Sequence, residues 1–252
     1  MTDHSVALFP TCIVDALAPE VGFATARVLT RRGCDVSVAE ATTCCGQPAW
    51  NAGQAEAAAT VARTTLSGFE QVLADGANAI VVPAGSCTTM IRVFWPELFE
   101  LVGDHDAATR ARAVLPKVFE LSEFLRRVRL QNGDELSSEG AATAVRYHPS
   151  CHMLRELGLR EEPADALRSC GYAPDAGPER CCGFGGLFSV KLPETSVAMA
   201  DEVLDAAVAD GATEIVAADG SCLMQLAARA EKRGLALNFR HLAVAIDDAE
   251  RT

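Results

Sequence analysis

Residues 180–186 read RCCGFGG, so two adjacent cysteines are followed by three glycines within four residues. A second pair stands 137 residues earlier (181 − 44), in residues 43–48, which read TCCGQP. Thiolates are soft ligands that suit iron, zinc and copper(I). Glycine lets the backbone reach positive φ and approach a bulky inorganic group closely. The two motifs therefore predict two similar metal or redox sites in one chain.

The composition argues against several classes of protein. The net charge of −12 disfavours nucleic-acid binding, which needs a basic patch. The apolar runs are strand-sized, far below the ~20 residues that span a bilayer, and the first residues lack the pattern of a signal peptide. Ten cysteines without such a signal indicate a reducing compartment, where clustered thiols are more often metal ligands or redox groups than disulfides. We therefore expect a cytoplasmic protein with no transmembrane segment.

The same four cysteine positions occur twice along the chain. Cys12 corresponds to Cys151 at an offset of 139 (151 − 12), the CCG pairs follow at 137, and Cys87 corresponds to Cys222 at 135 (222 − 87). The flanking residues agree as well, with FPTC against HPSC and PAGSC against ADGSC. Matched cysteines with matched neighbours indicate an internal repeat. The expected domains are a first repeat over 1–130, a polar linker over 131–143 and a second repeat over 144–252.

Each repeat alternates short apolar stretches with amphipathic ones. Strands are predicted over Ser5–Cys12, Asp35–Ala39, Ala79–Pro83, Lys117–Leu121, Val145–Cys151, Gly171–Ala176 (weakened by Pro174), Glu214–Ala218 and Ala236–Phe239. Helices are predicted over Val21–Arg32, Gln54–Leu73, Thr88–Leu101, Ala107–Leu115, Glu123–Val128 with Ser122 as its cap, His152–Leu157, Pro163–Ser169, Pro193–Ala209, Leu223–Arg233 and Leu242–Asp248. This alternation predicts an α/β fold of two pseudo-repeated, Rossmann-like halves, each with a mostly parallel sheet flanked by helices.

In a parallel sheet the strand-to-helix turns share one edge, at the C-terminal strand ends, and ligands bind there. The cysteines end or follow predicted strands, so each half should gather four thiolates at that edge. The predicted metal ligands are Cys12, Cys44, Cys45 and Cys87 in the first half and Cys151, Cys181, Cys182 and Cys222 in the second. Helices that begin near the GSC motifs would direct backbone N–H groups toward the sulfur atoms. The predicted cofactor-binding set is completed by Gly46, Gly183, Gly185, Gly186, Ser86 and Ser221.

The cysteine spacing favours an iron–sulfur cluster over other centres. Structural zinc sites use cysteine pairs two to four residues apart, and this chain has no CxxC. Adjacent cysteines reach different irons of one cluster more readily than they fit one tetrahedral ion. Zinc and a vicinal thiol/disulfide redox centre stay as alternatives. The run of closely spaced cysteines found in ferredoxins is absent, so electrons would need a partner to pass onward.

Residues close to the motifs are candidates for other roles. His148 could accept a substrate proton or donate a hydrogen bond to a cluster sulfide. Arg155 and Lys191 could bind a carboxylate, for which the arginine fork is well suited. Ordinary structural or solvated roles explain these residues too. Cys34 and Cys170 do not align with each other, so we interpret them as structural thiols.

The CCG pairs, each with a cysteine about 30 residues upstream and a GSC about 40 residues downstream, resemble the CCG cysteine-rich domain family. That family includes the cysteine-rich component of heterodisulfide reductase and iron–sulfur subunits of glycolate oxidase and anaerobic glycerol-3-phosphate dehydrogenase. The stretches FPTCIVDAL, CCGQPAWNAG, PAGSCT, YHPSC and CCGFGGLFSVK are similar to a narrower family of lactate-utilisation proteins, over nearly the whole chain. The resemblance implies an iron–sulfur electron-transfer subunit of a complex that oxidises L-lactate or another small 2-hydroxyacid. Its implied partners are a ferredoxin-like iron–sulfur subunit and a third subunit.

The resemblance leaves two other functions open, namely disulfide reduction at the cluster, as in heterodisulfide reductase, and a non-enzymatic redox or metal sensor. The wider family carries CxxC at its third cysteine site, whereas the first position of that pair is Ala84 or Asp219 here. A [4Fe–4S] cube and a non-cubane cluster therefore both stay open, with at most one cluster per repeat. Because Asp219 can supply an oxygen ligand and Ala84 cannot, we expect the two sites to differ.

Overall fold

The computed structural model describes residues 4–133 and 143–251, and the chain divides into two compact units. The first unit covers Met1–Phe124 and the second covers Leu125–Thr252. Most of the linker predicted over 131–143 lies outside the described residues, and its first two positions end a helix.

The first unit alternates strands and helices in the predicted order. Its elements are β1 (His4–Leu8), α1 (Cys12–Leu17), α2 (Pro19–Arg31), β2 (Cys34–Val38), α3 (Gln47–Asn51), α4 (Ala55–Ala74), β3 (Ala79–Val82), α5 (Gly85–Thr89), α6 (Trp95–Leu101), α7 (His105–Val114), β4 (Val118–Glu120) and α8 (Leu121–Asn132), the last of which continues past the unit boundary. A π-helical turn (Met90–Phe94) joins α5 to α6, and a 3₁₀ turn (Leu115–Lys117) leads into β4.

The second unit repeats this succession. Its elements are β5 (Thr143–Tyr147), a π-helical turn (Met153–Leu157), α9 (Glu162–Arg168), β6 (Tyr172–Ala176), α10 (Leu187–Lys191), α11 (Pro193–Ala209), β7 (Glu214–Ala217), α12 (Gly220–Arg233), β8 (Asn238–His241) and α13 (Leu242–Ala249). Within the described ranges, no helix has the length and apolar character needed to cross a bilayer.

Each unit builds one four-stranded sheet in which every pairing is parallel. The strand order is β2-β1-β3-β4 in the first unit and β6-β5-β7-β8 in the second, which is the same order one repeat later. β1 lies between two partners, and its residue Val6 pairs with Val36 on one side and Ala79 on the other. The predicted α/β fold, with two pseudo-repeated halves and parallel sheets, is therefore confirmed.

The central strand β3 forms where the sequence is apolar on both faces. β3 is buried at all four of its positions, as expected for a parallel strand covered by helices on both sides. β6 contains Pro174 and lies at the edge of its sheet. A proline costs little there, because an edge strand has an unpaired side on which an N–H is not needed. The residue that weakened the prediction of β6 is thus tolerated.

Aromatic rings fill the centre of the first unit. Trp95 is fully buried, with its ring centroid 5.7 Å from that of Phe69 and 6.2 Å from that of Phe99. Phe9 meets Phe69 edge to face at 5.2 Å. Burying each such ring contributes about 1.5–3 kcal/mol, so this cluster is a large part of what holds the unit together. The core of the second unit uses smaller side chains, including Ala200, Leu204, Leu226 and Ala230.

Several boundaries differ from the expectation. β1 ends at Leu8, so Cys12 begins a short helix, α1, instead of ending a strand. In the same way β5 ends at Tyr147, four residues before Cys151. The helix predicted over Thr88–Leu101 is interrupted by a π-helical turn. The short helices α1, α3 and α10 have five or six residues, too few for a hydrophobic period to reveal them.

Ser122 does not cap a helix with its own side chain as predicted. α8 begins at Leu121, so Ser122 lies inside its first turn. The fully buried Glu120 carboxylate accepts the N–H of Ser122 at 2.7 Å and also its hydroxyl hydrogen. The capping oxygen at this helix start therefore comes from the glutamate before it.

Candidate metal centres

Each CCG motif forms a tight turn that packs against the long helix after it. Gly46 has a φ of +91° and Gly183 a φ of +83°. A Cβ atom on Gly46 would lie 2.8 Å from the carbonyl oxygen of Ala58 in α4, and one on Gly183 would lie 2.4 Å from that of Ser196 in α11. Both distances are too short for a carbon and an oxygen that are not bonded. Glycine is therefore required by a neighbouring helix, whereas the sequence had suggested an approach to an inorganic group.

The glycine amide of each turn points back to the first cysteine of its pair. The N–H of Gly46 donates to Sγ of Cys44 at 3.4 Å, and the N–H of Gly183 donates to Sγ of Cys181 at the same distance. Hydrogen bonds to a charged group favour its charged form, here the thiolate. The internal repeat therefore extends to the hydrogen bonds around the sulfur atoms.

The first tetrad consists of Cys12, Cys44, Cys45 and Cys87. Cys12 begins α1, Cys44 and Cys45 lie in the CCG turn, and Cys87 lies in α5. The Sγ atoms of Cys12 and Cys44 are 3.6 Å apart. The neighbouring thiols of Cys44 and Cys87, with burial, raise the pKa of Cys45. Cys45 is buried and the other three are half-buried. The structure thus brings the four candidate ligands of the first half together.

The second tetrad consists of Cys151, Cys181, Cys182 and Cys222. Sγ of Cys151 lies 4.0 Å from Sγ of Cys181, and Sγ of Cys182 lies 3.0 Å from Sγ of Cys222. Cys182 hydrogen-bonds to Cys181 as well, which links the two pairs. Cys182 and Cys222 are buried, whereas Cys151 and Cys181 are half-buried. The candidate ligands of the second half also lie together.

The thiols of a tetrad cannot all be ionised at once. The hydrogen bond from Cys12 is the main reason that the pKa of Cys44 falls to about 3, and the same bond, with burial, raises the pKa of Cys12. In the second half, the bond from Cys151 is the main reason that the pKa of Cys181 falls to about 2, and Cys151 is raised in turn. A bound cation would remove this conflict, because it attracts every thiolate. Four soft donors suit an iron–sulfur cluster or a soft metal ion by their chemistry. The paired Sγ atoms lie closer together than the cysteines of a four-iron cluster, so the thiols would have to move apart to hold one.

Buried hydrogen bonds from outside the tetrad hold the first CCG turn. Trp95 donates its Nε1–H to the carbonyl oxygen of Cys45 at 2.8 Å. The hydroxyl of Thr65 donates to the carbonyl oxygen of Cys44 at 2.9 Å and accepts the N–H of Thr43 at 3.2 Å. Sequence analysis did not identify Trp95 as a residue of the site. A buried tryptophan does need an acceptor, but nothing in the sequence says which carbonyl supplies it.

Ser196 holds the second CCG turn in a similar way. Its hydroxyl donates to the carbonyl oxygen of Gly183 at 2.7 Å and accepts from Nε2 of Gln225 at 2.9 Å. Ser196 lies in α11 and Thr65 in α4, so in both units the helix after the turn supplies the hydroxyl. The two residues were not identified from the sequence.

The GSC motifs begin helices, as expected, and one amide at these helix starts is bonded within its own helix. Ser86 lies in the first turn of α5 and Ser221 in the first turn of α12. The amide of Cys222 donates to the carbonyl oxygen of Asp219 at 3.1 Å, so this N–H is bonded within its own helix start. The carbonyl oxygen of Ser86 accepts from Nε2 of Gln47 at 3.1 Å, which ties α5 to α3. A cofactor-binding role for the two serines stays a prediction.

The other candidates near RCCGFGG are placed as follows. Gly185 and Gly186 carry the chain into α10 with φ angles of +49° and +61°. A Cβ atom on Gly185 would lie 2.9 Å from Cβ of Phe188, whereas Gly186 has open space. Lys191 ends α10 and Arg155 lies in the second π-helical turn, and both side chains are exposed. Roles for these residues in binding a cofactor or substrate stay predictions.

His148 lies at the second tetrad, and the first half has no equivalent. It is 2% exposed. A ring nitrogen of His148 and the Sγ atoms of Cys182 and Cys222 all lie within 4.8 Å of one another. Among the described residues, Nε2 of His148 makes no well-formed hydrogen bond. The pKa of Cys222 is lowered mainly by its hydrogen bond to Cys182 and also by the neighbouring imidazole of His148. The corresponding residue in the first half is Phe9 (FPTC against HPSC).

Asp219 is a second difference between the two halves. It is 1% exposed, precedes α12, and corresponds to Ala84 in the first unit. The pKa of Cys151 is raised mainly by its hydrogen bond to Cys181 and by burial, and to a smaller extent by the negative charge of Asp219. The surroundings of the two tetrads are therefore chemically unequal.

Cys34 and Cys170 make contacts of other kinds. Cys34 begins β2 and is 6% exposed, and burial raises its pKa to about 11. Sγ of Cys170 lies 3.6 Å from Oγ of Ser169 and 3.4 Å from Oε1 of Glu250. These surroundings agree with the interpretation of both as structural thiols.

Comparison with known proteins relates both halves to one family. The family described as the CCG cysteine-rich domain matches residues 6–92 and 145–227, which include all eight tetrad cysteines. Curated proteins named lactate utilization protein A are similar, including one from Exiguobacterium sp. that is 41% identical and covers 97% of each chain. Others come from Bacillus cytotoxicus (39% identical, covering 94% of this chain and 96% of the relative) and Geobacillus sp. (36%, covering 94% and 97%). A solved aspartate racemase homologue from Pyrococcus horikoshii is 9% identical over 98% of each chain with a TM-score of 0.34, which carries no argument.

Proposed function

This chain belongs to the lactate utilization protein A family and carries the CCG cysteine-rich domain twice, and we propose that it is the iron–sulfur electron-transfer subunit of a complex that oxidises L-lactate. The observation that carries the proposal is the pair of cysteine tetrads, each gathered within one unit. The names of the relatives support lactate as the substrate of the complex. A ferredoxin-like iron–sulfur subunit and a third subunit are the proposed partners, and the cytoplasm is the proposed location.

The eight tetrad cysteines are the proposed ligands, with at most one cluster in each unit. When bound, an iron–sulfur cluster supplies one-electron transfer at each tetrad. A [4Fe–4S] cluster needs four cysteines, which is the number each tetrad offers. A non-cubane cluster is the alternative for the second unit, because Asp219 adds an oxygen donor that Ala84 cannot match.

The residues around the tetrads have separable tasks. The amides of Gly46 and Gly183 donate to sulfur, and such donors raise the reduction potential of a site. Trp95 and Ser196 fix the carbonyl groups of the CCG turns, so that the adjacent thiols keep their positions. Several cysteines of each tetrad are half-buried and not fully enclosed, which is compatible with electron transfer to a partner at the surface.

Metal analysis of an oxygen-free preparation tests the proposal. We expect acid-labile sulfide and iron in comparable amounts after anaerobic purification or reconstitution, and an electron paramagnetic resonance signal on reduction. Zinc without sulfide would favour the zinc alternative. Absence of both iron and sulfide after reconstitution would reject the iron–sulfur function.

Matched cysteine variants assign the ligands. Cys45→Ser and Cys182→Ser should each lose about half of the iron, because each removes a buried member of one tetrad. Cys34→Ser is the control, since Cys34 is buried in β2 and belongs to neither tetrad. Equal iron content in all three variants would contradict the assignment.

Lactate-dependent dye reduction by the reconstituted complex, and its loss in the tetrad variants, tests the substrate.

A second candidate function is reductive cleavage of a disulfide at the second tetrad. The observation that favours it is that Cys151 and Cys181 are half-buried, so that these two residues of the second tetrad are not sealed from solvent. Turnover of a small disulfide with a reduced viologen dye would support this function. Lactate-dependent dye reduction without disulfide turnover would decide against it.

A further inference from the structure

The nitrogen of His148 is placed among sulfur atoms of the second tetrad. One ring nitrogen of His148 lies within 4.8 Å of Sγ of both Cys182 and Cys222, and these two Sγ atoms are 3.0 Å apart. Ligand atoms around one tetrahedral metal ion lie about 3.3–3.8 Å from one another, given the usual metal–sulfur and metal–nitrogen bond lengths. Small side-chain rotations therefore suffice to bring these three atoms onto one metal ion.

The fold does not explain a histidine at this position. The backbone N–H of His148 donates to the carbonyl oxygen of Val216 at 2.8 Å. In the first unit, the backbone N–H of Phe9 donates to the carbonyl oxygen of Val81 at 2.9 Å. The strand end is thus built the same way with histidine or phenylalanine. A buried nitrogen without a well-formed hydrogen bond destabilises a protein. Nε2 of His148 has no such bond among the described residues, and the imidazole interacts with the thiol of Cys222. The histidine therefore needs a role that phenylalanine cannot perform.

The charge around the second tetrad also favours a neutral donor. The tetrad already holds several thiols that compete for protons, and the buried Asp219 adds a carboxylate close to Cys151. An imidazole binds iron or zinc without adding negative charge. The first tetrad has Phe9 and Ala84 at the two corresponding positions, and neither can bind a metal.

We propose that Nε2 of His148 is a metal ligand at the second tetrad, so that this centre is bound by sulfur and nitrogen, whereas the first is bound by sulfur alone. In the cluster-loaded protein the inference rests on the proposed iron–sulfur function. The histidine replaces no cysteine, so it adds a nitrogen donor to the four sulfur donors that each tetrad offers.

Cobalt(II) binding to the full-length, cluster-free protein tests the ligand set without any cluster. The background for all variants is Cys45→Ser/Cys87→Ser, called the parent, which removes two sulfur donors of the first tetrad. The test variant adds His148→Phe, because phenylalanine occupies the corresponding position, Phe9, in the first unit. We expect the affinity for cobalt(II) to fall at least about tenfold and the absorption bands to change to those of an all-sulfur set. His152→Gln, the histidine next to Cys151, is the matched control and should keep the parent spectrum. Unchanged affinity and bands in His148→Phe would overturn the proposal.

Pulsed electron paramagnetic resonance of the reduced, cluster-loaded wild-type chain provides a readout that needs no substitution. The unlabelled wild type should show a signal from a strongly coupled ¹⁴N nucleus, and labelling its histidines with ¹⁵N should convert this into a ¹⁵N signal. In the unlabelled variants, the ¹⁴N signal should be absent from His148→Phe and present in His152→Gln. A loaded second tetrad with no strongly coupled histidine nitrogen would overturn the proposal while leaving the iron–sulfur function intact. If no variant binds iron and sulfide, the proposed function fails, and the cobalt experiment alone decides the role of His148. If His148→Phe does not fold, as judged by circular dichroism, His148→Gln takes its place.

Discussion

Replacing Gly183 by alanine tests whether the CCG turn is fixed by the helix behind it. Gly183 has a φ of +83°, and its missing Cβ would lie 2.4 Å from the carbonyl oxygen of Ser196. The turn and the helix are also joined by the hydroxyl of Ser196, which donates to the carbonyl oxygen of Gly183 at 2.7 Å. The methyl group must therefore push apart two segments that a buried hydrogen bond holds together.

The size of the effect follows from two contributions. A side chain at positive φ costs about 1–2 kcal/mol. Separating the turn from Ser196 breaks its buried hydrogen bond, which costs about 1–3 kcal/mol more. Gly158 is the matched control, because its φ is +69° and its Cβ position is open. Gly158→Ala therefore carries only the first contribution, and Gly183→Ala should lower the free energy of unfolding by at least about 1 kcal/mol more.

Thermal unfolding of the cluster-free protein measures this difference. For a chain of this size, 1 kcal/mol corresponds to about 2–4 °C in Tm, so Gly183→Ala should melt at least that much below Gly158→Ala. The displaced turn also carries Cys181 and Cys182, so iron retention by the second unit should fall in Gly183→Ala alone. Equal Tm values for the two variants would refute the claim that the helix carbonyl dictates the glycine.

Three further predictions concern single side chains. Trp95→Phe leaves the buried carbonyl of Cys45 without its donor, and should lower the unfolding free energy by about 1–3 kcal/mol, measured as a lower urea midpoint; an unchanged midpoint would contradict this. Asp201 has a lowered pKa, mainly because of Arg229, so its contribution is present above its unfolded pKa near 3.8 and is lost as the pH falls through the folded pKa. Asp201→Asn should therefore lose less stability than wild type between about pH 6 and about pH 3, and an equal loss in urea midpoint would argue against it. Cys34, with a pKa of about 11, should resist alkylation at about pH 8 until the protein unfolds, as followed by mass spectrometry, whereas rapid labelling of the folded chain would disprove its burial.

The fold could be predicted from the sequence because its signals are local and repeated. Long amphipathic helices such as Pro193–Ala209 are predicted by the spacing of their apolar residues, and buried strands such as β3 by their apolar composition. The repeated cysteines and their matching neighbours predicted that the chain consists of two similar halves. The π-helical turns after α5 and Cys151 could not be predicted, because they depend on how each helix packs and leave the hydrophobic pattern unchanged.

The candidate site was only partly predictable for a related reason. The grouping of the cysteines follows from strand order, since all strand-to-helix turns of a parallel sheet share one edge. The alignment of Phe9 with His148 was visible in FPTC and HPSC, but only coordinates show that the imidazole lies beside Cys182 and Cys222. The hydrogen bonds from Trp95 and Thr65 join residues that are 50 and 21 positions apart, and no short motif encodes such contacts.

The sheets β2-β1-β3-β4 and β6-β5-β7-β8 have the same strand order, and each unit carries its own set of four thiols. A gene made of two fused copies is free to diverge in one copy while the other retains the ancestral chemistry. Phe9 against His148 and Ala84 against Asp219 are two places near the thiols where the copies differ. A substitution beside one tetrad leaves the other in place, so each half can change its own chemistry independently.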